Sequence, residues 1–175
     1  MQLYRFSPIQ SYDELVLAVS HIHAEALKLS RAAFGEYLPV TGTVAIFTHS
    51  EAEFSSLQDL QGSITSSDDP FNGKYRRLLT PINVPENDGV PGGIYTHLYV
   101  RRPDPYRSHV GDIDLYLSPE QYTERKYDVS EDKISGARVF PENRLDMIEL
   151  YDFDSDVLAY ADSFRLNDKT TWSNS

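Results

Sequence analysis

A chain of 175 residues with 40% hydrophobic side chains and a formal net charge of −11 has the length of one ordinary domain, long enough to bury roughly 70% of the surface its unfolded form exposes. It contains no cysteine, which excludes disulfides, thiolate catalysis and any zinc site built on sulfur, so a metal would have to rest on His, Asp or Glu. The acidic balance argues against direct binding to a nucleic-acid phosphate backbone and favours solubility or a basic protein partner.

The charge is unevenly spread. Residues 1–70 hold three basic and nine acidic side chains, residues 71–110 six and three, and residues 111–175 seven and fifteen. The middle is a basic island in an acidic protein. The opening MQLYRFSPIQ has one Arg and no apolar run of signal-peptide length, and no later segment approaches a membrane span, so a cytoplasmic protein without membrane contact is expected.

In chain order, Leu3–Phe6 reads as a first strand. Ser11 and Glu14 have the Ser-x-x-Glu spacing of a capping box, so a helix starts there. Its apolar face is Leu15, Val19, Ile22, Ala26 and Leu29, and Gly35 supplies the left-handed stop. Thr43–Thr48 is short, apolar and β-branched, a buried strand. Ser50 and Glu53 repeat the capping signal ahead of Phe54, Leu57 and Leu60, with Gly62 as the expected end.

After a polar loop at 63–73 the pattern turns to strands at Tyr75–Val84, Ile94–Arg102 and Asp112–Leu117, separated by PENDGVPGG and PDPYRSHVG. Both separators carry turn residues. Ser118-Pro119-Glu120 caps a short helix to about Tyr127, and Gly136–Phe140 and Met147–Tyr151 read as closing strands. The polar tail from Ser163 is expected to fray. No internal repeat, heptad pattern or linker is visible. The expected fold is a single α+β domain over residues 1–162, a mixed sheet with about three helices packed on it and an antiparallel second half.

Three groups of residues could carry function. A hairpin turning near Asp88-Gly89 sets Arg76 opposite Arg101, and like charges directly opposed destabilise a sheet unless an anion or acidic side chains relieve them. Arg76, Arg101, Arg102 and Arg107 are therefore the candidate clamp for a small anionic ligand, since the guanidinium fork donates two parallel bonds to phosphate or carboxylate. Tyr75, Tyr95 and Tyr99 are available for stacking.

The second group is acidic. On a strand, Asp112 and Asp114 face the same side roughly 7 Å apart, a geometry that can hold a divalent cation such as Mg²⁺ or Mn²⁺. GDIDLYL resembles the Asp-x-Asp strand of the polymerase-β-like nucleotidyltransferases, and that resemblance implies metal binding by Asp112 and Asp114 with Glu149 as third ligand. The family's upstream Gly-Ser pair is absent; Gly92-Gly93 stands there without a serine. His97 and Glu149 are also similar in placement to the histidine and glutamate of vicinal-oxygen-chelate enzymes, which implies a shared metal, with His97 as ligand or base. Asp152–Asp156 resembles the start of a calcium loop but lacks its glycine and terminal glutamate.

The third group is the acidic C-terminal stretch itself, Asp146 to Asp162, which could dock on a basic protein. Two functional expectations follow. The first is a binding protein, acting through its acidic surface on a partner or through the Arg-rich hairpin on a small anion. The second is a metal-dependent enzyme acting on a phosphorylated or nucleotide substrate, and it requires His97, Asp112, Asp114 and Glu149 to share one face.

Overall fold

A computed structural model describes residues 9–66, 74–142 and 145–164. The strand expected at Leu3–Phe6 and the tail beyond residue 164 lie outside the described residues. The chain forms one α+β domain with three helices and a seven-stranded mixed sheet. Among the described residues no helix is long and apolar enough to cross a membrane.

Helix α1 (Tyr12–Phe34) begins at Ser11, whose hydroxyl accepts from the Glu14 N–H while the Glu14 carboxylate returns to the Ser11 N–H. It ends where Gly35 takes φ 78° and donates to the Arg31 carbonyl, the left-handed exit that glycine makes without a Cβ penalty. All five residues expected on its apolar face are buried. Strand β1 (Val40–Phe47) follows.

Helix α2 (Glu51–Ile64) runs past Gly62, the expected stop, to Thr65. The extra turn is held from the sheet side: the buried Gln61 amide donates to the Leu98 carbonyl at 2.9 Å, and the Thr65 hydroxyl donates to the Gln61 carbonyl at 2.8 Å. Its cap is half a box. Ser50 accepts from the Glu53 N–H, but Glu53 accepts from the His49 N–H instead of that of Ser50.

Strands β2 (Arg76–Val84) and β3 (Gly93–Arg101) form the hairpin, turning at Asp88 and Gly89, which both have positive φ as a type I′ turn requires. Strand β4 (Gly111–Tyr116) leads to α3 (Pro119–Ser130), capped by Ser118 and one turn longer than expected. Strands β5 (Ala137–Glu142), β6 (Leu145–Leu150) and β7 (Val157–Asp162) complete the sheet in the order β2-β3-β1-β4-β7-β6-β5.

The topology contains a repetition that the sequence hides. In each half a first strand leads through a helix and antiparallel strands to a last strand that returns parallel beside the first: β1 through α2 and β2 to β3, and β4 through α3, β5 and β6 to β7, one strand more. The two first strands meet antiparallel at the centre of the sheet.

All three helices contribute to one large core, built on Leu15, Ile22, Phe54, Leu57, Val129 and the strand residues facing them. The opposite face carries a smaller cluster of Ala45, Phe47, Leu158 and Tyr160, drawn from strands alone among the described residues. Gly111 shows how tightly the first face packs. A Cβ there would collide with the Ala45 carbonyl oxygen and the Ile22 side chain, so α1 can lie this close only because β4 begins with glycine.

Candidate functional site: a charged row across the sheet

The pairing registers align one residue from each strand into a transverse row. Arg77 of β2 pairs with His97 of β3, which pairs with Thr43 of β1. The Thr43 hydroxyl donates to Asp114 Oδ2 of β4 at 2.7 Å. Asp114 pairs with Tyr160 of β7, Tyr160 with Glu149 of β6, and Glu149 with Arg138 of β5. Next to it runs a second row, Tyr99, Ala45, Asp112 and Leu158. Side chains alternate between faces along a strand, so Asp112 and Asp114 share the face of Thr43, Ala45, Tyr160 and Glu149, away from the large core.

The carboxylates of this face are buried: Asp112 is 8% exposed, Asp114 6% and Glu149 1%. A buried carboxylate is tolerated only when hydrogen bonds and opposite charge replace its water. Glu149 meets that condition on both oxygens. Arg138 Nε donates to Oε1 at 2.7 Å, and the Tyr160 hydroxyl donates to Oε2 at 2.9 Å. Arg107, from the β3–β4 connection, bonds the same Tyr160 hydroxyl and lies 3.6 Å from Asp104.

The tyrosines register this charge. Burial first, then the negative charge of Asp112 and Glu149, holds the Tyr160 hydroxyl well above its ordinary pKa, against a lowering hydrogen bond from Arg107. Tyr75 is raised for the same reasons, burial of its hydroxyl first and Asp114 and Asp112 next; its ring leans on Tyr99 at 5.5 Å between centroids. His97, half-buried, shares a 2.9 Å hydrogen bond between Nδ1 and the Thr96 hydroxyl.

Of the residues singled out in the sequence, Asp112, Asp114 and Glu149 come to one face, with His97 at the same row. Among the described residues, however, no three His, Asp or Glu side chains stand together as a group that could hold a metal ion. The arginines disperse. The expected register, with Arg76 opposite Arg101, holds only near the turn, where Ile82 pairs with Tyr95 and Val84 with Gly93. Between Arg77 and Ile82 it shifts, and Arg76 lies opposite Leu98. The surplus residues sit in the exposed stretch Leu79–Pro81 of β2, where proline cannot donate to a ladder.

The like-charge clash that motivated an anion clamp is therefore not present. Arg101 lies 3.6 Å from Asp104 and over the Phe47 ring, and Arg102 lies 3.3 Å from Glu51 and over Phe54. Three participants in the network were missed in the sequence. Tyr160 belongs to a strand with no sequence signal of its own, Arg138 has no local motif, and His109 lies in a stretch whose pattern is that of a corner. Among the described residues His109 Nδ1 is buried without a hydrogen-bond partner, and burial, then Arg107, lowers the pKa of its ring against the pull of Glu149 and Asp156.

No family model and no curated protein matches the chain. A solved structure described as "Structural Genomics, Protein EC4020" is similar in fold, with a TM-score of 0.56 over 98% of this chain and 97% of that one, at 14% sequence identity. The likeness extends to the whole α+β architecture and to the fold alone.

Proposed function

We propose that the chain is a binding protein and that its ligand is a small, positively charged molecule received at the strand face that carries Asp112, Asp114 and Glu149. The observation that carries this reading is the carboxylate face: three buried carboxylates, Asp112 and Asp114 of β4 and Glu149 of β6, brought to one face of the sheet across β7, with Tyr75, Tyr99 and Tyr160 beside them. Burial in low dielectric strengthens the pull of such carboxylates on a cation. Tyrosine rings offer the negative π-face that a quaternary or primary ammonium group favours.

Charge decides between a cationic and an anionic ligand. Arg138 is already committed to Glu149, and Arg101, Arg102 and Arg107 each have a carboxylate within 4 Å. Asp112 and Asp114 add two formal negative charges to the face, beside the Tyr160 hydroxyl that Arg107 bonds. The metal-dependent alternative keeps one supporting fact, the common face of His97, Asp112, Asp114 and Glu149. It needs a convergence of three ligands that the described residues do not make.

Calorimetric titration of benzyltrimethylammonium, benzyl alcohol, benzoate and Mn²⁺ separates these readings. The proposal expects saturable heat with the ammonium compound alone, weakened at least tenfold in Asp112→Asn/Asp114→Asn. Saturable benzoate binding that Arg107→Ala abolishes would restore the anion reading instead.

A further inference from the structure

We propose a second and separate binding site, at the edge of the sheet, for a small amphipathic organic amine with a flat apolar body. The site is a cavity of about 520 Å³ between the C-terminal half of α1, the α3–β5 connection and the turn after β6. That volume falls within the roughly 300–1,000 Å³ of small-molecule pockets. It does not depend on the carboxylate face, because none of Asp112, Asp114 or Glu149 lines it.

Three features fix the class of ligand. The walls are mixed, and their aliphatic part is Leu29, Ala32 and Ala33 of α1 on one side and Ile134 and Ala137 on the other, beside polar groups of Asp132, Ser135 and Asp152. At the lip, Tyr151 and Phe153 meet edge to face with centroids 5.9 Å apart, and Phe153 is 93% exposed. A phenyl ring left in water beside a partly apolar cavity is surface that a bound ring would cover.

The third feature is charge. The charged side chains lining the cavity are Asp132 and Asp152. Asp152 Oδ1 accepts from the Asp154 N–H at 2.7 Å, and among the described residues no hydrogen bond reaches its second oxygen. Of the nearby bases, Lys133 lies 3.1 Å from Asp128 and over the Tyr127 ring, while Arg138, bound to Glu149, also lies 5.2 Å from the centre of the Tyr151 ring at the lip, so the face left for the ligand is that of Phe153. An ammonium group at the rim, with its apolar body between the alanines and the Phe153 ring, satisfies all three features at once.

The test is an NMR titration of the full chain with tryptamine, neutral tryptophol and anionic indole-3-propionate, following the methyl signals of Ala32, Ala33 and Ala137. Tryptamine is expected to move those methyls, and tryptophol and indole-3-propionate to bind at least tenfold more weakly. Asp132→Asn/Asp152→Asn should weaken tryptamine by tenfold or more, since asparagine keeps the φ of 56° at position 132 and the local acceptor at 152. Phe153→Ala, which removes an exposed ring and leaves the core untouched, should weaken it several-fold and decides the matter if the double variant fails to fold. The proposal is overturned if the three methyls stay still, if tryptophol matches tryptamine, or if the shifts fall only on Ala45 of the carboxylate face.

Discussion

Replacing Tyr160 with phenylalanine tests the charged row at its hinge. The ring is 9% exposed and packs with Ala45, Phe47 and Leu158, so Phe keeps the packing and removes only the oxygen. That oxygen donates to Glu149 Oε2 at 2.9 Å and bonds Arg107. Glu149 would retain Arg138 on its other oxygen, but Arg138 is 59% exposed, and an ion pair with one solvated partner cannot replace a lost bond in a buried pocket. A hydrogen bond to a charged group is worth about 1.5–3 kcal/mol. In a chain of this length about 1 kcal/mol moves Tm by about 2–4 °C, so Tyr160→Phe should lower Tm by roughly 3–12 °C. Urea and thermal unfolding, with Tyr127→Phe as an exposed control, read this directly. A Tyr160→Phe variant within about 0.5 kcal/mol of the parent, the range of ordinary surface changes, would refute the claim that the hydroxyl sustains the buried carboxylate.

Two further outcomes follow from groups packed inside the fold. His23 Nε2–H donates to the Pro91 carbonyl at 2.8 Å, so Nδ1 accepts from the Tyr95 hydroxyl at 2.7 Å and the ring is held neutral. Burial lowers its pKa, so the unfolded chain takes up a proton below pH about 6.5 while the folded chain does not, and stability falls as pH drops through that window, by at most about 1.4 kcal/mol per pH unit. His109 is lowered in the same direction. The loss between pH 7.5 and 5.5, measured by urea unfolding, should shrink in His23→Gln and in His109→Gln; an unchanged loss in both contradicts the assignment. Gly111→Ala should destabilise by about 1–3 kcal/mol or more, the cost of overpacking, because a Cβ meets the Ala45 carbonyl oxygen, which is backbone, as well as the fully buried Ile22 side chain. An unaffected midpoint would mean that α1 does not press on β4.

Local signals were the legible part of this sequence. The Ser11-Glu14 box, the Gly35 exit, the Ser118-Pro119 start and the Asp88-Gly89 turn each act within a few residues, and each appears where the spacing placed it. Strand β7 escaped because Val157–Asp162 is buried on both faces, and its alanines and flanking aspartates give neither alternation nor β-branching. Its run was read as an acidic surface, although Asp156 and Asp162 are themselves buried.

The candidate site was legible in part for the same reason. Strand parity placed Asp112 and Asp114 together, but Glu149 joins them only through β7, the strand that was missed. Arg76 and Arg101 face each other only in a hairpin of uniform register, and the shift at Leu79–Pro81 breaks that register far from any turn. Gly111 closes a stretch rich in turn residues, whereas its role is the close approach of a helix, which no short-range pattern encodes.

The most direct test of the binding proposal is the calorimetric comparison of benzyltrimethylammonium with benzyl alcohol, benzoate and Mn²⁺, run on the parent chain and on Asp112→Asn/Asp114→Asn. The carboxylate face predicts saturable binding of the ammonium compound, lost with the two aspartates and absent for the neutral and anionic counterparts. Stoichiometric Mn²⁺ binding that disappears in the same variant, with no ammonium binding in the parent, would contradict it and make the face a metal centre.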